Sequence, residues 1–327
     1  MNALSPVWPN VPIWCKWGCT GACFCAHLAA IAASPDPFTD PFVLLVSLSV
    51  ALNSVLLFAL GLPLLLVDLY PHRFPAVSQH KIQPALNAPL PPTLVHPLLA
   101  VSAFNSVVSG TVTLVALFAL VAPLERLFLA PGEAWMVLDM WQVPTLAQGL
   151  RQLLVIILAE EILFYHSHRL LHHPALYRCI HKSHHEWTAP VGLAAIYCHP
   201  LEHVLSNAGP AMLATLAARA HVLVFYVFSL VAVVNTTLVH AGYHLPFVYP
   251  SPEHHDYHHE KFNVNFGVTG LCDRLYGTDA LFKSSGRALL HGVTLTREAL
   301  PRGLSRPLTA QERSRYFGLT AVFGAGS

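Results

Sequence analysis

Residues 42–67 read FVLLVSLSVALNSVLLFALGLPLLLV, 26 positions without a charged side chain. A helix needs roughly 20 apolar residues to cross the hydrocarbon of a bilayer, and within lipid every backbone polar group must be satisfied inside its own segment. This run therefore predicts a membrane-spanning α-helix, and Pro63 near its end is tolerable there. Residues 98–122 (LLAVSAFNSVVSGTVTLVALFALVA) form a second uncharged run, joined to the first by a Pro-rich loop, 68–97. A weaker third span covers 146–165, where Arg151 and the pair Glu160–Glu161 belong at its ends or against protein, because charge in lipid is costly. Residues 204–239 are again apolar, broken at Arg219–His221, and are long enough for a hairpin that enters and returns.

Composition agrees with a membrane location. The 327-residue chain is 54% hydrophobic and 11% charged, too few charges to clothe a soluble domain of this length. The net charge of +1, with no basic stripe, argues against a nucleic-acid partner. The expected fold is all-α: an integral membrane helical bundle with a cytosolic, histidine-rich di-metal cap. It divides into an undefined N-terminal region (1–41), transmembrane helices and loops (42–145), a catalytic domain (146–283) containing the hairpin 204–239, and a basic cytosolic tail (284–327). The tail from 284 to 315 carries six Arg against two Glu, whereas the loop 123–145 carries one Arg against three acids, which sets the expected orientation. Of seven cysteines, Cys15, Cys19, Cys23 and Cys25 lack the paired spacing of a zinc site and read as small apolar residues near the membrane, open to palmitoylation. Cys179, Cys198 and Cys272 are single.

The 21 histidines carry the chemistry. Nine fall in 166–203 and six in 240–259, the two windows that flank the hairpin. A hairpin returns the chain to its starting side, so both windows should meet on one face of the membrane. His27, His72, His80, His96, His221 and His291 are isolated and read as structural. Four groups stand out: His168-x3-His172, His181-x2-His184-His185, His240-x3-His244 and His255-x2-His258-His259. On an α-helix, positions i, i+3 and i+4 share a face, so each group aims its rings one way. Four such faces in a bundle can surround a pair of metal ions. His166, His173, His199, His203 and His254 are weaker candidates. A ligating imidazole usually gives its other N–H to a carboxylate or carbonyl, which makes Glu160, Glu161, Glu186, Glu202, Glu253, Asp256 and Glu260 candidate supports. Imidazole suits Fe, Zn, Cu and Ni; zinc fits as a bound ion, while iron alone of the first two supports redox chemistry with O2. No catalytic residue beyond the metal ligands is assigned.

At these residues the chain resembles the fatty acid hydroxylase/sterol desaturase superfamily, and is similar there to the C-4 methylsterol monooxygenases and the related fatty acid hydroxylase domain-containing proteins. The likeness covers about 150–283 and includes HRLLHHPALYRCIHKSHHEWTAPVG (168–192), HPLEH (199–203), HAGYHLP (240–246), SPEHHDYHH (251–259) and DRLYGTD (273–279). The resemblance implies ten metal ligands, at His168, His172, His181, His184, His185, His240, His244, His255, His258 and His259. It implies two iron ions, O2, and electrons from NAD(P)H passed by a redox partner, a b-type cytochrome. It also implies a multi-pass protein of the endoplasmic reticulum membrane with its active site facing the cytosol. One departure is His244, where methylsterol oxidases carry Asp. The expected activity is hydroxylation of a lipid, with a 4-methylsterol as first candidate; fatty acyl hydroxylation or desaturation on the same scaffold, and a non-catalytic lipid-binding or regulatory role, are the alternatives. A metal transporter would need polar residues within its spans, and 42–67 and 98–122 offer only Ser, Thr and Asn.

Overall fold

The structure is a computed structural model, all-helical with no strand among the residues it describes, 13–130, 133–245, 248–285 and 287–288. Helix α1, Ile13–Ala33, occupies the N-terminal region for which the sequence suggests no element. Its buried His27 explains why it docks: Nε2 lies 2.8 Å from Thr111 Oγ1 and Nδ1 lies 3.2 Å from Ser47 Oγ. Helix α2, Val43–Leu69, and helix α3, Pro92–Phe128, contain the two expected spans, each with a π-helical stretch, Val43–Leu48 and Asn105–Ser109.

Helix α4, Leu146–Leu171, is one turn and more longer than the weak span predicted for it. Thr145 starts it with a reciprocal cap: Gln148 N donates to Thr145 Oγ1 at 3.3 Å and Thr145 N donates to Gln148 Oε1 at 2.8 Å. The hairpin appears as α5, 200–217, and α6, Val222–Val239. Three helices, α2, α3 and α6, are long and apolar enough to cross a membrane. Ser102 and Asn105 of α3 are buried and face protein, as uncharged polar groups in such helices should. Ser102 Oγ donates to Leu193 O at 2.8 Å, and Asn105 Nδ2 donates to Ile196 O and Cys198 O at 2.9 and 2.8 Å. These bonds tie the loop after the His181–His185 box into the bundle. Leu57, Leu98, Val101, Trp187, Leu193 and Tyr197 pack the same junction.

Past the ends of α4 and α6 the chain forms a cap. It contains a 3-10 turn, His181–Glu186, then α7, Pro252–Lys261, α8, Leu271–Tyr276, and α9, Ala280–Ser284. The predicted basic tail lies almost wholly outside the described residues. All seven cysteines are free.

Candidate metal centre

Nine of the ten predicted histidines converge in two groups. His168, His172, His181, His185 and His258 form one; His184, His240, His255 and His259 form the other. Within each group, one potential ligand atom per residue lies within 4.8 Å of all the others. The two windows therefore meet, as the hairpin requires.

The allotment follows helical spacing in a way the motifs alone do not reveal. His168 lies in the last turn of α4 and His172 caps its end, so this i, i+4 pair points into the first group. In the first H-x2-H-H box, His181 and His185 serve the first group and His184 the second. In the other box the shares are exchanged: His255 and His259 serve the second group and His258 the first. Each box thus gives its i, i+4 pair to one group and its i+3 ring to the other, where the sequence reading had three rings aimed together. The 181–185 box is also a 3-10 turn rather than α-helix, so its allotment is set by packing against the other elements and not by α-helical spacing alone.

His244 lies in neither group. Helix α6 ends at Val239 and His240 caps it; Gly242 then turns the chain through a left-handed conformation, φ +70°. His244 N donates to His80 O at 2.9 Å, and its Nδ1 pairs with Glu253. A helical i+4 position is thereby lost, and with it the direction toward His240.

Burial, and next the neighbouring imidazoles, hold His185, His255 and His259 below the usual histidine range, so these rings are neutral. Burial likewise lowers His168 and His240 to about 4. Neutral imidazole is the metal-binding form. The tautomers are set by backbone acceptors. Nδ1 donates to Phe266 O from His168 at 2.8 Å, to Val264 O from His258 at 2.6 Å, to Thr236 O from His240 at 2.7 Å and to Tyr197 O from His184 at 3.4 Å. His181 Nδ1 instead meets Glu202 Oε1 at 2.9 Å. A neutral ring that donates through Nδ1 presents a lone pair at Nε2.

Those Nε2 atoms face one another. His240 and His184 stand 3.4 Å apart through them, His255 and His240 2.8 Å, His181 and His172 3.0 Å, and His258 and His185 3.2 Å. Since His184 and His240 have both committed their ring N–H elsewhere, their Nε2 lone pairs meet with no proton between them. A cation shared by the group removes that repulsion. Two nitrogens at right angles on one ion, each ~2.1 Å from it, stand about 3 Å apart, the spacing seen here. The residues therefore fit a metal ion in each group, and an all-imidazole donor set suits iron as well as zinc.

Of the candidate supporting acids, Glu202 meets a histidine of the first group, His181. Asp256 and Glu260 turn to Arg287 at 2.8 and 2.6 Å. Glu161 accepts from Thr269 N and Cys272 N at 2.6 and 2.8 Å. Asp273, from DRLYGTD, accepts from Phe266 N and Gly267 N, both at 2.7 Å, and so holds the strand of loop whose Phe266 carbonyl orients His168. The weaker histidine candidates stay outside: His173 and His199 cap short helices, His166 Nδ1 lies 2.7 Å from Ile162 O, His254 packs on Phe282, and His203 is buried apart. The carbonyls of Phe266, Val264, Thr236 and Tyr197 have no signature in sequence.

Comparison with known proteins places this geometry. Residues 153–278 match the fatty acid hydroxylase family. Fatty acid hydroxylase domain-containing protein 2 of Macaca fascicularis is 40% identical over 235 residues, 69% of this chain and 65% of that protein. Fatty acid hydroxylase ahd1 of Mycosarcoma maydis is 35% identical over 248 residues, 73% of this chain and 60% of that one. Methylsterol monooxygenase 1 of Rattus norvegicus is 36% identical over 131 residues, 38% of this chain and 44% of that one. The chain thus spans less than two thirds of the length of these relatives. No solved structure matches it. The resemblance read from the histidine boxes holds: this chain carries a fatty acid hydroxylase domain, and its relatives include fatty acid hydroxylase domain-containing proteins and methylsterol monooxygenases.

Proposed function

We propose that this protein is a membrane-bound lipid hydroxylase that works with two iron ions, O2 and electrons delivered from NAD(P)H through a b-type cytochrome. The observation that carries the reading is the pair of converging histidine groups, five and four rings, seated where the apolar helices end. His168, His172, His181, His185 and His258 would hold one ion, and His184, His240, His255 and His259 the other. A bound iron pair supplies the capacity to reduce O2 and oxidise an unactivated C–H bond, which no side chain here can do. The chain's own contribution is positioning: backbone carbonyls and Glu202 fix the ring tautomers, and burial keeps water from the centre. The apolar helices would bring a hydrophobic substrate to the cap from the membrane.

The names of the relatives divide over the substrate, a methylsterol for one and a fatty acid for another. A 4-methylsterol is the first substrate to test, with acyl lipids beside it, and location in the endoplasmic reticulum with the cap in the cytosol goes with this reading. Purified, iron-loaded protein supplied with electrons is to be incubated with both lipid classes, and the products weighed. A gain of one oxygen supports hydroxylation; a loss of two hydrogens points to desaturation. Metal-loaded protein that leaves both classes unchanged overturns the enzyme reading and favours a lipid-binding role.

A further inference from the structure

Helix α8 buries one side and exposes the other. Cys272 and Asp273 are buried, whereas Leu271, Leu275 and Tyr276 are 52%, 75% and 50% exposed. Leu281 on α9, at 51%, extends the patch. Exposed leucines gathered on so short a segment are a cost in water and mark a contact surface.

The depth of this patch is fixed by α4. The buried Glu161 carboxylate receives Thr269 N and Cys272 N from the start of α8, and the Tyr276 ring stacks on Tyr165 with centroids 5.2 Å apart and planes within 13°. Tyr276 also meets His166 edge to face. At 1.5 Å per residue, Glu161 lies about 10 Å back along α4 from His168. Helix α8 is thus drawn down beside the body of α4 rather than up over the cap.

The outer face of α4 at that level is apolar and exposed: Leu146, Leu150, Leu154, Leu158 and Ile162 recur every four residues at 44–79% exposure. That stripe runs for about 24 Å, close to the thickness of bilayer hydrocarbon. Leu271, Leu275 and Tyr276 continue it at its cap end. Around them stand the exposed cations Arg274 and Lys283, the latter also paired with Asp279 at 2.8 Å. Leucine, a ring with a polar tip and basic side chains together are the composition of a segment at the lipid–water boundary.

We propose that α8 and the start of α9 lie in the headgroup–acyl boundary of the bilayer, with Leu271, Leu275 and Leu281 in the acyl layer and Arg274 and Lys283 among the phosphates. The occupant is the lipid surface itself, because the patch is continuous with the apolar stripe of α4 and carries cations suited to headgroups. The placement holds the first histidine group just above that boundary, and it does not depend on which metal the histidines bind.

The test uses the full chain in phosphatidylcholine nanodiscs, with the photoreactive residue p-benzoylphenylalanine replacing Leu275 or, in a second protein, Leu271. Irradiation followed by mass spectrometry should find lipid adducts at both positions, at several times the level obtained when Arg178, exposed on the cap, is replaced in the same way. Two probes guard against one variant failing to accumulate. Adducts to a second copy of the chain or to another protein, or none above the Arg178 level, would overturn the proposal.

Discussion

The two histidine groups are built by one rule and differ by one ring. Each takes an i, i+4 pair from an H-x2-H-H box and the i+3 ring of the other box. The first adds both rings of an H-x3-H, His168 and His172, because α4 runs to Leu171 and His172 caps it in a helical conformation. The second adds His240 alone, because Gly242 turns the chain before His244. The end of α6 at Val239 and the left-handed Gly242 beyond it are thus the physical difference between five imidazoles and four. The supports differ as well. The first group leans on carboxylates that collect backbone N–H groups, Asp273 directly and Glu161 below it. The second leans on a buried ion pair: Lys81 Nζ meets Asp68 Oδ1 at 2.6 Å, and Tyr243 Oη donates to the same oxygen at 2.6 Å.

The comparison breaks most completely when one ring is taken from each group. Replacing His184 and His258 together by Ala should abolish retention of both ions, read as metal per chain by mass spectrometry after iron-replete expression. His258→Ala alone should empty the first group and spare the second. If metal content in the double variant equals that of the wild type, the two groups are not metal centres.

The next largest effect falls on the ion pair. Lys81→Met leaves Asp68, fully buried, without its cation, and loss of one partner of such a pair costs about 3–5 kcal/mol. Because Ile82 N donates to Gly242 O at 2.9 Å and Lys81 Nζ lies 3.4 Å from Ala241 O, the damage should reach the second group first. Thermal unfolding in detergent reads the loss, and chelator competition should show the four-ring site releasing its ion before the five-ring site. Equal release from both sites would mean that the ion pair stabilises the bundle without favouring either group.

Glu202→Gln should act on the other side of the comparison. It replaces the carboxyl group that meets His181 Nδ1 by an amide, and losses of this kind lower metal affinity roughly 10- to 100-fold. A chelator titration should find the five-ring site weakened and the four-ring site unchanged.

These contrasts also mark what the chain discloses before it folds. The three helices apolar enough to cross a membrane and all four boxes are legible, because both depend on short-range rules: about twenty uncharged residues, or rings spaced three and four apart. Where a helix runs on, as at His168 and His172, the spacing predicts the outcome. Which group each ring serves depends on how α7 docks against the 181–186 turn, and no local pattern encodes a docking angle. Lys81 and Asp68 are scattered charges in sequence and become a pair only when the loop after α2 folds back on Gly242. Helix α1 was hidden because its anchor, His27, looks like any isolated histidine until Ser47 and Thr111 are beside it. Of the seven candidate acids, Glu202 reaches a ring of the first group; backbone carbonyls do most of the remaining orienting, and every residue has one.

The smallest expected effect is the sharpest test of the comparison. By spacing, His244 is the counterpart of His172, and the two substitutions should differ. His172 Nε2 is 3.0 Å from His181 Nε2, within the first group, so His172→Ala deletes a ligand and should weaken that site. His244 has its Nδ1 on the buried Glu253 and its backbone on His80, so His244→Ala should leave both ions bound. Its cost should be local, because Glu253 loses a charged or hydrogen-bonded partner inside the cap; an unsatisfied buried group of this kind costs about 1–3 kcal/mol. The expected signature is therefore a lower unfolding temperature at unchanged metal content. The opposite signature, loss of about half the metal with little change in stability, would show that His244 swings onto the second group when an ion is present and that the two groups are equal after all.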